Sequence, residues 1–336
     1  MTKIILLSIC CMIPVIVFAQ TGQEKSIKER YVDSIKSSNY PYIFPAWAKK
    51  ITKKGIDMPL PAGVMANYYA GSQTMTISDL QVGFNNNPQV PLDFIKFGDI
   101  KANFQSINTR VDLWVLPFVN LYGIFGETYA NTEVNIAEPF TFSTTAKFKG
   151  PTAGAGMSVG GAVRGIFGIG NYNVTWTSLD KISGTIFTQN MGFRAGHAIP
   201  FRSRPDRNFT LWIGATGVYV NRTTEGTIKF SDLTTDASRA ELDKIKDMTA
   251  DWYQTLTPAQ KVVTKQIAEK LSDKIDGLDL KDASLTYSLI KRATSNWSML
   301  AGAQFQLNHH WQARVETGFL GGRSSFLGSV NYRFGF

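Results

Sequence analysis

Seven ionisable residues recur at alternate positions of otherwise apolar segments. They are five arginines and two carboxylates: Arg110, Asp112, Arg164, Arg194, Arg314, Glu316 and Arg333. Charged groups that leave water must be paired or hydrated, because an unpaired buried charge is strongly unfavourable. Two interpretations follow. Either the groups form a structural network of arginine–carboxylate pairs, or their excess of positive charge lines a passage or binding site for a small solute, which would then be anionic.

Histidine is scarce, and its placement argues against hydrolytic chemistry. A hydrolase of the Ser–His–acid type needs a histidine beside a serine and a carboxylate. The chain has only His197, His309 and His310. Alternation places His197 on the apolar face of its segment, and the other two lie in a short turn. We therefore predict no catalytic residues, with a lipid or peptide hydrolase as the less favoured alternative.

The chain offers few ligands for a metal ion or a cofactor. Its two cysteines, Cys10 and Cys11, lie in the apolar amino-terminal run, and the adjacent histidines would diverge on an extended chain. The glycine cluster at residues 154–161 lacks the spacing and the following helix of a nucleotide-binding loop. We predict no metal and no cofactor, and glycines that make room for large inward side chains such as Arg110 and Trp114.

The first 19 residues read as a secretory signal peptide. Lys3 supplies a basic start, residues 4–18 an apolar core, and Val17-Phe18-Ala19 a cleavage site. A lone membrane anchor is the alternative, but the run is short for a span of about 20 residues. Loss of Lys3 takes the formal net charge from +9 to +8. For an exported basic chain, anionic lipid or polysaccharide is a better neighbour than nucleic acid.

Long segments of alternating apolar and polar residues dominate the chain from about Gly63 onward. In the clearest of them, Val111 and Val115 share one face while Arg110 and Asp112 share the other. Such segments often reach about 12 residues, whereas strands of soluble proteins usually have about 5 or 6. Aromatic residues gather near their ends, and short turns alternate with longer loops. A soluble β-sandwich would share the alternation but not these three features.

The chain resembles the outer-membrane β-barrel superfamily. Its end carries Tyr332-x-Phe334-x-Phe336, which looks like the signal that such proteins present to the barrel-assembly machinery. The resemblance covers residues 61–336 and implies an all-β fold, a closed antiparallel transmembrane barrel of about ten strands, with about eight to twelve compatible with the pattern. It implies the outer membrane of a Gram-negative cell as the location and outer-membrane lipid as a partner. It implies no particular activity.

The predicted organisation has three parts after the signal peptide. They are a periplasmic lead-in at residues 20–60, a barrel at 61–336 and an extracellular helical insertion at 226–290. Within the insertion, Ser238-x-x-Glu241 predicts the start of one helix and Thr257-Pro258-x-Gln260 the start of a second. Periplasmic turns are expected at 116–120, 168–171 and 308–311, and outward-facing loops at 78–98, 133–152, 180–185 and 320–324.

The leading hypothesis for function is a non-enzymatic barrel for restricted passage or binding of a small solute in an arginine-lined lumen. The alternative from another class is a surface interaction protein whose barrel only displays the 226–290 insertion. The sequence leaves open which solute is bound and what the oligomeric state is.

Overall fold

The computed structural model describes residues 25–84, 88–93, 95–98, 100–138, 142–221, 223–229, 234–235, 251–275 and 284–336. The strands in this part of the chain are β1 (Ala62–Phe84), β2 (Val90–Pro91), β3 (Lys96–Phe97), β4 (Ile100–Leu116), β5 (Val119–Glu138), β6 (Phe142–Val163), β7 (Ile166–Thr177), β8 (Ile186–Pro200), β9 (Asn208–Val220), β10 (Thr223–Lys229), β11 (Thr234–Thr235), β12 (Ser284–Ala293), β13 (Trp297–Gln306), β14 (Trp311–Phe319) and β15 (Arg323–Phe334). The helices there are α1 (Ile27–Ser37), α2 (Ala48–Thr52), α3 (Asp251–Gln254) and α4 (Pro258–Ile275). No helix of the described residues is long and apolar enough to cross a membrane.

Ten of these strands form a closed antiparallel ring. Their order is β1, β4, β5, β6, β7, β8, β9, β13, β14 and β15, and β15 pairs again with β1. This last pairing runs from Ala62 opposite Phe334 to Gln73 opposite Arg323. Closure pairs the edge groups that an open sheet would leave exposed. The prediction of an antiparallel barrel of about ten strands is confirmed.

The two ends of the barrel differ in their connections. We call the end where β1 begins and β15 ends the near end, and the opposite end the far end. At the near end the β4–β5 connection is residues 117–118 and the β13–β14 connection is residues 307–310. Both lie where the sequence predicted turns, because the alternation on either side is unbroken.

The near-end turn between β6 and β7 was predicted in the wrong place. It lies at Arg164 and Gly165, ahead of the predicted 168–171 turn. Both residues have positive φ, 53° and 85°, which a two-residue hairpin matching the strand twist requires. Arginine is an unusual residue for that backbone, so the later glycines gave the stronger turn signal. In the structure those glycines lie within β7.

The far section of the barrel has fewer strands around it, because two hairpins of the ring are short. The β14–β15 hairpin turns at residues 320–322, and beyond it β12 pairs with β1 in place of β15. The β7–β8 hairpin ends in residues 178–185. Beyond it β10 pairs with β12, β11 pairs with β6, and Ile182 bridges to Gly226.

The strands extend into two predicted loop regions. The β5–β6 pairing continues as far as Ile136 opposite Phe142, so most of the loop expected at 133–152 belongs to the sheet. The predicted insertion at 226–290 likewise begins within β10 and ends within β12. These segments form strands and not loops because hydrogen-bonded neighbours satisfy their backbone groups.

Part of the helical insertion is as predicted. α4 begins at Pro258, and the Thr257 and Gln260 side chains accept hydrogen bonds from each other's backbone N–H at 3.3 Å and 2.9 Å. These reciprocal bonds form a capping box at the helix start that the sequence predicted. The first predicted helix, beginning at Ser238-x-x-Glu241, lies outside the described residues, apart from α3. The predicted signal peptide also lies outside them.

Side chains alternate between the two faces of the barrel wall, as the pleat of a strand requires. The outward face carries large apolar residues with exposures from 42% to 67%: Ile107, Val111, Leu121, Phe125, Met157, Val159, Phe193, Ile213, Val315, Phe326 and Val330. Trp176, Trp297, Trp311 and Tyr332 are also exposed. Three other aromatics near strand ends, Trp114, Tyr122 and Tyr219, line the interior instead.

The lead-in packs against the near end of the barrel. Tyr40, Ala48 and Met58 form a buried apolar cluster within it. At the junction with the barrel, the backbone N–H of Trp114 donates to the carbonyl oxygen of Pro61 at 2.9 Å. The lead-in is therefore a folded unit that continues directly into β1.

Apolar clusters fill the far section. Phe148, Leu179, Tyr287 and Leu289 form one of them, from β6, the β7–β8 connection and β12. A second joins Val82, Leu92 and Val263, and so attaches α4 to β1 and the residues after β2.

Candidate functional site

The barrel encloses a cavity of about 1080 Å³. Inward-facing residues of the ring form its wall, and residues 56–59 of the lead-in form part of its near side. Phe148, Leu179 and Ile182 lie at its far side. Most charged residues of its wall lie in two clusters, together with an arginine nearer the far end: Arg110, Asp112, Arg194, Arg314, Glu316, Arg333 and Arg323. Asp57 of the lead-in and Lys291 and Arg292 of β12 also line the cavity.

The cavity wall contains six of the seven ionisable residues that the sequence singled out. The exception is Arg164, for which the prediction of a lumenal position is wrong. β6 ends at Val163, and Arg164 is an exposed turn residue at the near end. The inward–outward alternation of side chains along β6 does not extend to Arg164, because the backbone turns there.

The first charged cluster surrounds Glu316, and we call it the Glu316 cluster. Arg194 binds this carboxylate in a bidentate manner, with Nε to Oε2 at 2.7 Å and Nη2 to Oε1 at 2.8 Å. Arg314 Nη2 and Trp212 Nε1 also donate to Oε2, each at 2.9 Å. Arg194 donates in addition to the side-chain oxygen of Asn171. Four donated hydrogen bonds leave Glu316 little capacity for a further cation.

The second cluster surrounds Asp112, and we call it the Asp112 cluster. Asp112 Oδ1 accepts from Asn120 Nδ2 at 2.7 Å and from Arg333 Nη1 at 3.1 Å. Arg333 also donates from Nε and Nη2 to the carbonyl oxygen of Leu60, at 3.0 Å and 2.8 Å. This cluster therefore ties β4, β5 and β15 to the last residues of the lead-in. Asp112, Asn120 and Arg333 are all buried.

Arg110 and Arg323, both in the cavity wall, have no carboxylate partner among the described residues. Arg110 donates from Nη2 to the amide oxygen of Asn120 at 2.5 Å, and its guanidinium lies 3.7 Å from the ring centre of Tyr122. Arg323 is 7% exposed and donates to the amide oxygen of Gln73 at 2.6 Å. Within the described chain, Arg110 Nε and Arg323 Nη1 have no acceptor. Desolvated cations held only by neutral groups favour an additional anion.

Sequence reasoning missed several residues of these clusters. Trp212 lies between the outward-facing Leu211 and Ile213, so alternation alone could have found it. Arg323 shares the parity of Arg333 but was assigned to an outward loop at 320–324. Asn120 was assigned to a turn, whereas β5 resumes at Val119. The misplaced strand ends explain the last two omissions.

Gly156 makes room for the ring that supports Arg110. It pairs directly with Tyr122 across β5 and β6. A Cβ at this position would lie 2.7 Å from Cε2 of Tyr122 and 2.6 Å from Cβ of Asn173. A side chain at this position would therefore be crowded by Asn173, by the Tyr172 carbonyl oxygen at 2.6 Å and by Tyr122, over whose ring Arg110 lies.

The three histidines of the chain lie outside the cavity wall. His197 is exposed on the outward side of β8, where it pairs with Ile166 and Leu211. His310 in the β13–β14 turn bonds through Nδ1 to the carbonyl oxygen of Arg333 at 2.8 Å. Neither position provides a Ser–His–acid arrangement. Among the described residues, no group of three or more His, Cys, Asp or Glu side chains could hold a metal ion.

His309 instead joins the barrel to the lead-in. Asp57 Oδ2 lies 3.0 Å from His309 Nε2 and accepts from the Tyr31 hydroxyl at 2.6 Å. The hydrogen bond to Asp57 raises the pKa of His309. Burial, and then the bond to Asp57, raise the pKa of the Tyr31 hydroxyl, and Asp206 contributes to both shifts. We call the group of Tyr31, Asp57 and His309 the near-end latch.

The residues of the terminal motif lie at the near end. Tyr332 and Phe334 stack with ring centres 6.3 Å apart, and Tyr332 packs on Trp311 at 4.9 Å. Phe336 lies beyond the end of β15 and is 65% exposed.

No family model matches the chain, and no curated protein matches it. It is similar to the β domain of the Bordetella autotransporter BrkA, with 10% identity, a TM-score of 0.39 and coverage of 82% of this chain and 100% of that one. The translocator domain of the autotransporter NalP from Neisseria meningitidis has 10% identity, a TM-score of 0.34 and coverage of 85% and 92%. An outer membrane channel from Pseudomonas putida F1 has 9% identity, a TM-score of 0.30 and coverage of 82% and 96%. Likenesses this weak carry no weight for function.

Proposed function

We propose that this chain is an outer-membrane β-barrel that binds a small anionic solute in its lumen or allows its restricted passage. The observation that carries the proposal is Arg110. It is a cation in the wall of a cavity of about 1080 Å³, held only by the Asn120 amide and the Tyr122 ring. None of its direct partners among the described residues is anionic, and the nearby Asp112 is already bonded to Asn120 and Arg333, so the charge of Arg110 favours an anion as ligand.

The outward face of the ring supports a place in a membrane. Contiguous apolar side chains with exposures from 42% to 67% surround the barrel. Such a surface is unfavourable in water and suits the hydrocarbon of a bilayer, while the polar groups face inward as in outer-membrane barrels. Lipid is then a partner of the wall, and Tyr332, Phe334 and Phe336 provide the signal for the barrel-assembly machinery.

Charge balance supports an anion over a cation or a neutral solute. The two clusters, Arg110 and Arg323 bring five arginines and two carboxylates to the wall, and Arg292, Lys291 and Asp57 add two basic groups and one carboxylate. Glu316 already accepts four hydrogen bonds, so it does not offset Arg110. Guanidinium groups present planar pairs of donors that match carboxylate or phosphate. A small carboxylate or phosphate compound is therefore the expected class of solute.

The residues at the two sides of the cavity favour binding or restricted passage of a solute, and they argue against a wide channel. The apolar cluster around Phe148 lies at the far side, and residues 56–59 lie at the near side. A ten-stranded barrel is also close to the size at which side chains fill the interior. A solute would need to displace side chains or the lead-in to cross.

The test is ion selectivity of the folded chain in a planar bilayer under a salt gradient. We expect conductance steps with anion preference, reduced in Arg110→Gln. Arg164→Gln is the matched control, since it removes the same charge from a turn outside the cavity. Cation preference, or equal effects of the two substitutions, would contradict the proposal.

A barrel that is folded but does not conduct calls for a binding measurement. Calorimetric titration with inorganic phosphate and with benzoate should then show binding that Arg110→Gln weakens and Arg164→Gln retains. Removing a hydrogen bond to a charged group costs about 1.5–3 kcal/mol, which is roughly a tenfold or greater decrease in affinity. Absence of binding to either probe would count against an anion site at Arg110.

Display of the helical insertion is the second candidate function. Val263 packs against Val82 and Leu92, so α4 is held on the far end of the barrel, and Val262 on α4 is 57% exposed. Deleting residues 251–275 should abolish partner binding by such a display protein and spare the selectivity of a lumenal site. We propose no enzymatic role, since the histidines lie away from the cavity.

A further inference from the structure

Exposed apolar side chains continue from the barrel wall onto the lead-in. Ile43 is 79% exposed, Trp47 59% and Phe118 of the β4–β5 turn 42%. The rings of Trp47 and Phe118 are 6.4 Å apart. The Ala46 N–H donates to the carbonyl oxygen of Val115 at 3.0 Å. This bond fixes the exposed tryptophan directly below the end of β4.

The backbone at Trp47 holds its side chain in place. Trp47 has a φ of 71°, in the left-handed region that large side chains rarely adopt. Such a residue persists only where its neighbours determine its conformation. Here the Ala46 bond precedes it, and the buried Ala48 follows it at the start of α2.

A group of lysines follows the tryptophan closely in the chain. Ala48 and Thr52 are the buried residues of α2. Lys49 and Lys50 on α2, and Lys53 and Lys54 directly after it, are exposed. None of them pairs with an acidic residue in the described part of the chain. The next acidic residue along the chain, Asp57, is already bonded within the near-end latch.

We propose that these residues bind the phosphate groups of anionic phospholipids at the near-end surface of the membrane. The inference rests on the proposed place of the barrel in a membrane. Tryptophan favours the interface between lipid and water, and lysine ammonium groups are attracted to anionic headgroups. We call Ile43, Trp47, Phe118 and the four lysines the headgroup surface.

The position of the headgroup surface favours lipid as its occupant. Val111 on β4 and Leu121 on β5 are 47% and 45% exposed on the outward face, and the β4–β5 turn with Phe118 continues this wall. A lipid whose acyl chains cover the wall would have its phosphate near the height of α2. The charge is complementary, because the four ammonium groups lack acidic partners in the described chain.

The test is lipid retention by the full chain folded in detergent, measured by native mass spectrometry. Equal amounts of phosphatidylglycerol and phosphatidylcholine are offered. We expect retention of phosphatidylglycerol in preference, falling about tenfold or more when Lys49, Lys50, Lys53 and Lys54 are all changed to Gln, since each lysine contributes measurably near an anionic surface. Trp47→Ala should weaken retention of both lipids.

The control removes equal charge from exposed lysines at the far end. It changes Lys147, Lys149, Lys229 and Lys265 to Gln, and the preference should persist. Equal retention of the two lipids by the native chain, or loss of preference in the control alone, would overturn the inference. So would displacement of the lipid by inorganic phosphate at equal concentration, which would assign the surface to a free anion.

The bilayer selectivity measurement separates this inference from the proposed function. The quadruple variant at α2 should keep the anion preference that depends on Arg110, because α2 is not part of the cavity wall. A chain that fails to insert into bilayers would remove both proposals. A chain that inserts and selects anions but retains the two lipids equally would remove only the headgroup surface.

Discussion

Arg110 depends on a glycine two strands away. Tyr122, whose ring lies under the Arg110 guanidinium, occupies the space in front of Gly156. We predict that Gly156→Ala lowers the free energy of unfolding by about 1–3 kcal/mol, because an added methyl would lie too close to the Tyr122 ring, the Tyr172 carbonyl oxygen and Asn173 Cβ. Urea unfolding of the barrel in lipid vesicles measures this change.

Gly161 in the same strand provides the matched control. A Cβ at Gly161 meets no atom within 4 Å, so Gly161→Ala should change stability by less than about 0.5 kcal/mol. Equal destabilisation by the two substitutions would show that strand propensity, and not contact with Tyr122, determines the effect.

The near-end latch makes docking of the lead-in depend on pH. The pKa of His309 is raised, chiefly by its bond to Asp57, above an unfolded value of about 6.5. A raised pKa in the folded state means that the contribution is complete below about pH 6.5 and is lost as pH rises through the folded-state pKa. We predict that a fluorophore on Ser37→Cys, in the chain without residues 1–19, loses anisotropy over that interval.

His309→Gln should remove this pH dependence and leave anisotropy low throughout. His197→Gln should leave it unchanged, because His197 lies on the barrel wall away from Asp57, Tyr31 and Asp206. A transition that persists in His309→Gln would assign the pH dependence to another group.

The lead-in as an element controls the near side of the cavity. Residues 56–59 line the cavity, and the ring itself begins at Ala62. We predict that deletion of residues 25–59 leaves a folded barrel with larger conductance and weaker anion selectivity, because residues 56–59 no longer form part of the near side of the cavity. Single-channel recording is the measurement.

Deletion of residues 251–275 is the comparison at the opposite end. It removes α3 and α4 without touching the near mouth, so conductance limited by the lead-in should stay at its native value. If the far-end deletion alone raises conductance, the narrowest point lies at the far end, where Val263 of α4 packs against Val82 and Leu92.

Alternation predicted the individual strands better than their ends. The segment around Arg110–Val115 lies within β4, as its alternation predicted. The partner exchange of β1 was not predictable, because it depends on hairpin lengths more than 200 residues later in the chain. The length of β5 and β6 was missed because their pairing continues beyond the end of the apolar pattern.

Within the terminal motif of the closed barrel, we expect Phe336 to affect assembly of the barrel without affecting its stability. Phe336 is exposed beyond β15, whereas Tyr332 packs on Trp311. We predict that Phe336→Ala changes the unfolding free energy by less than about 0.5 kcal/mol but lowers the amount of folded barrel in the outer membrane. Urea unfolding and heat-modifiable gel mobility measure the two quantities.

Tyr332→Ala is the contrasting variant. It should lower stability by about 1 kcal/mol through loss of the aromatic pair, as well as reducing assembly. Normal membrane levels of Phe336→Ala would contradict a recognition role for the last residue.

At the scale of the molecule, the sequence predicted the barrel and most of the residues in its charged lumen. The period of two in the strands determines which side chains face inward, and that is a local property. The two clusters depend on which strands meet across the lumen, and Arg164 and Arg323 depend on where the chain turns. Those are properties of the closed ring that a single strand does not encode.

The exchange of partners along β1 has a consequence for how the chain is made. One edge of β1 pairs with β4, which follows soon after it, but the other pairs with β15 and then with β12. That second edge therefore waits until residues 284–334 have been synthesised. Contacts over such sequence distances form slowly, and an unpaired edge invites aggregation. We therefore expect the chain to need a chaperone that prevents aggregation until residues 284–334 can pair with β1.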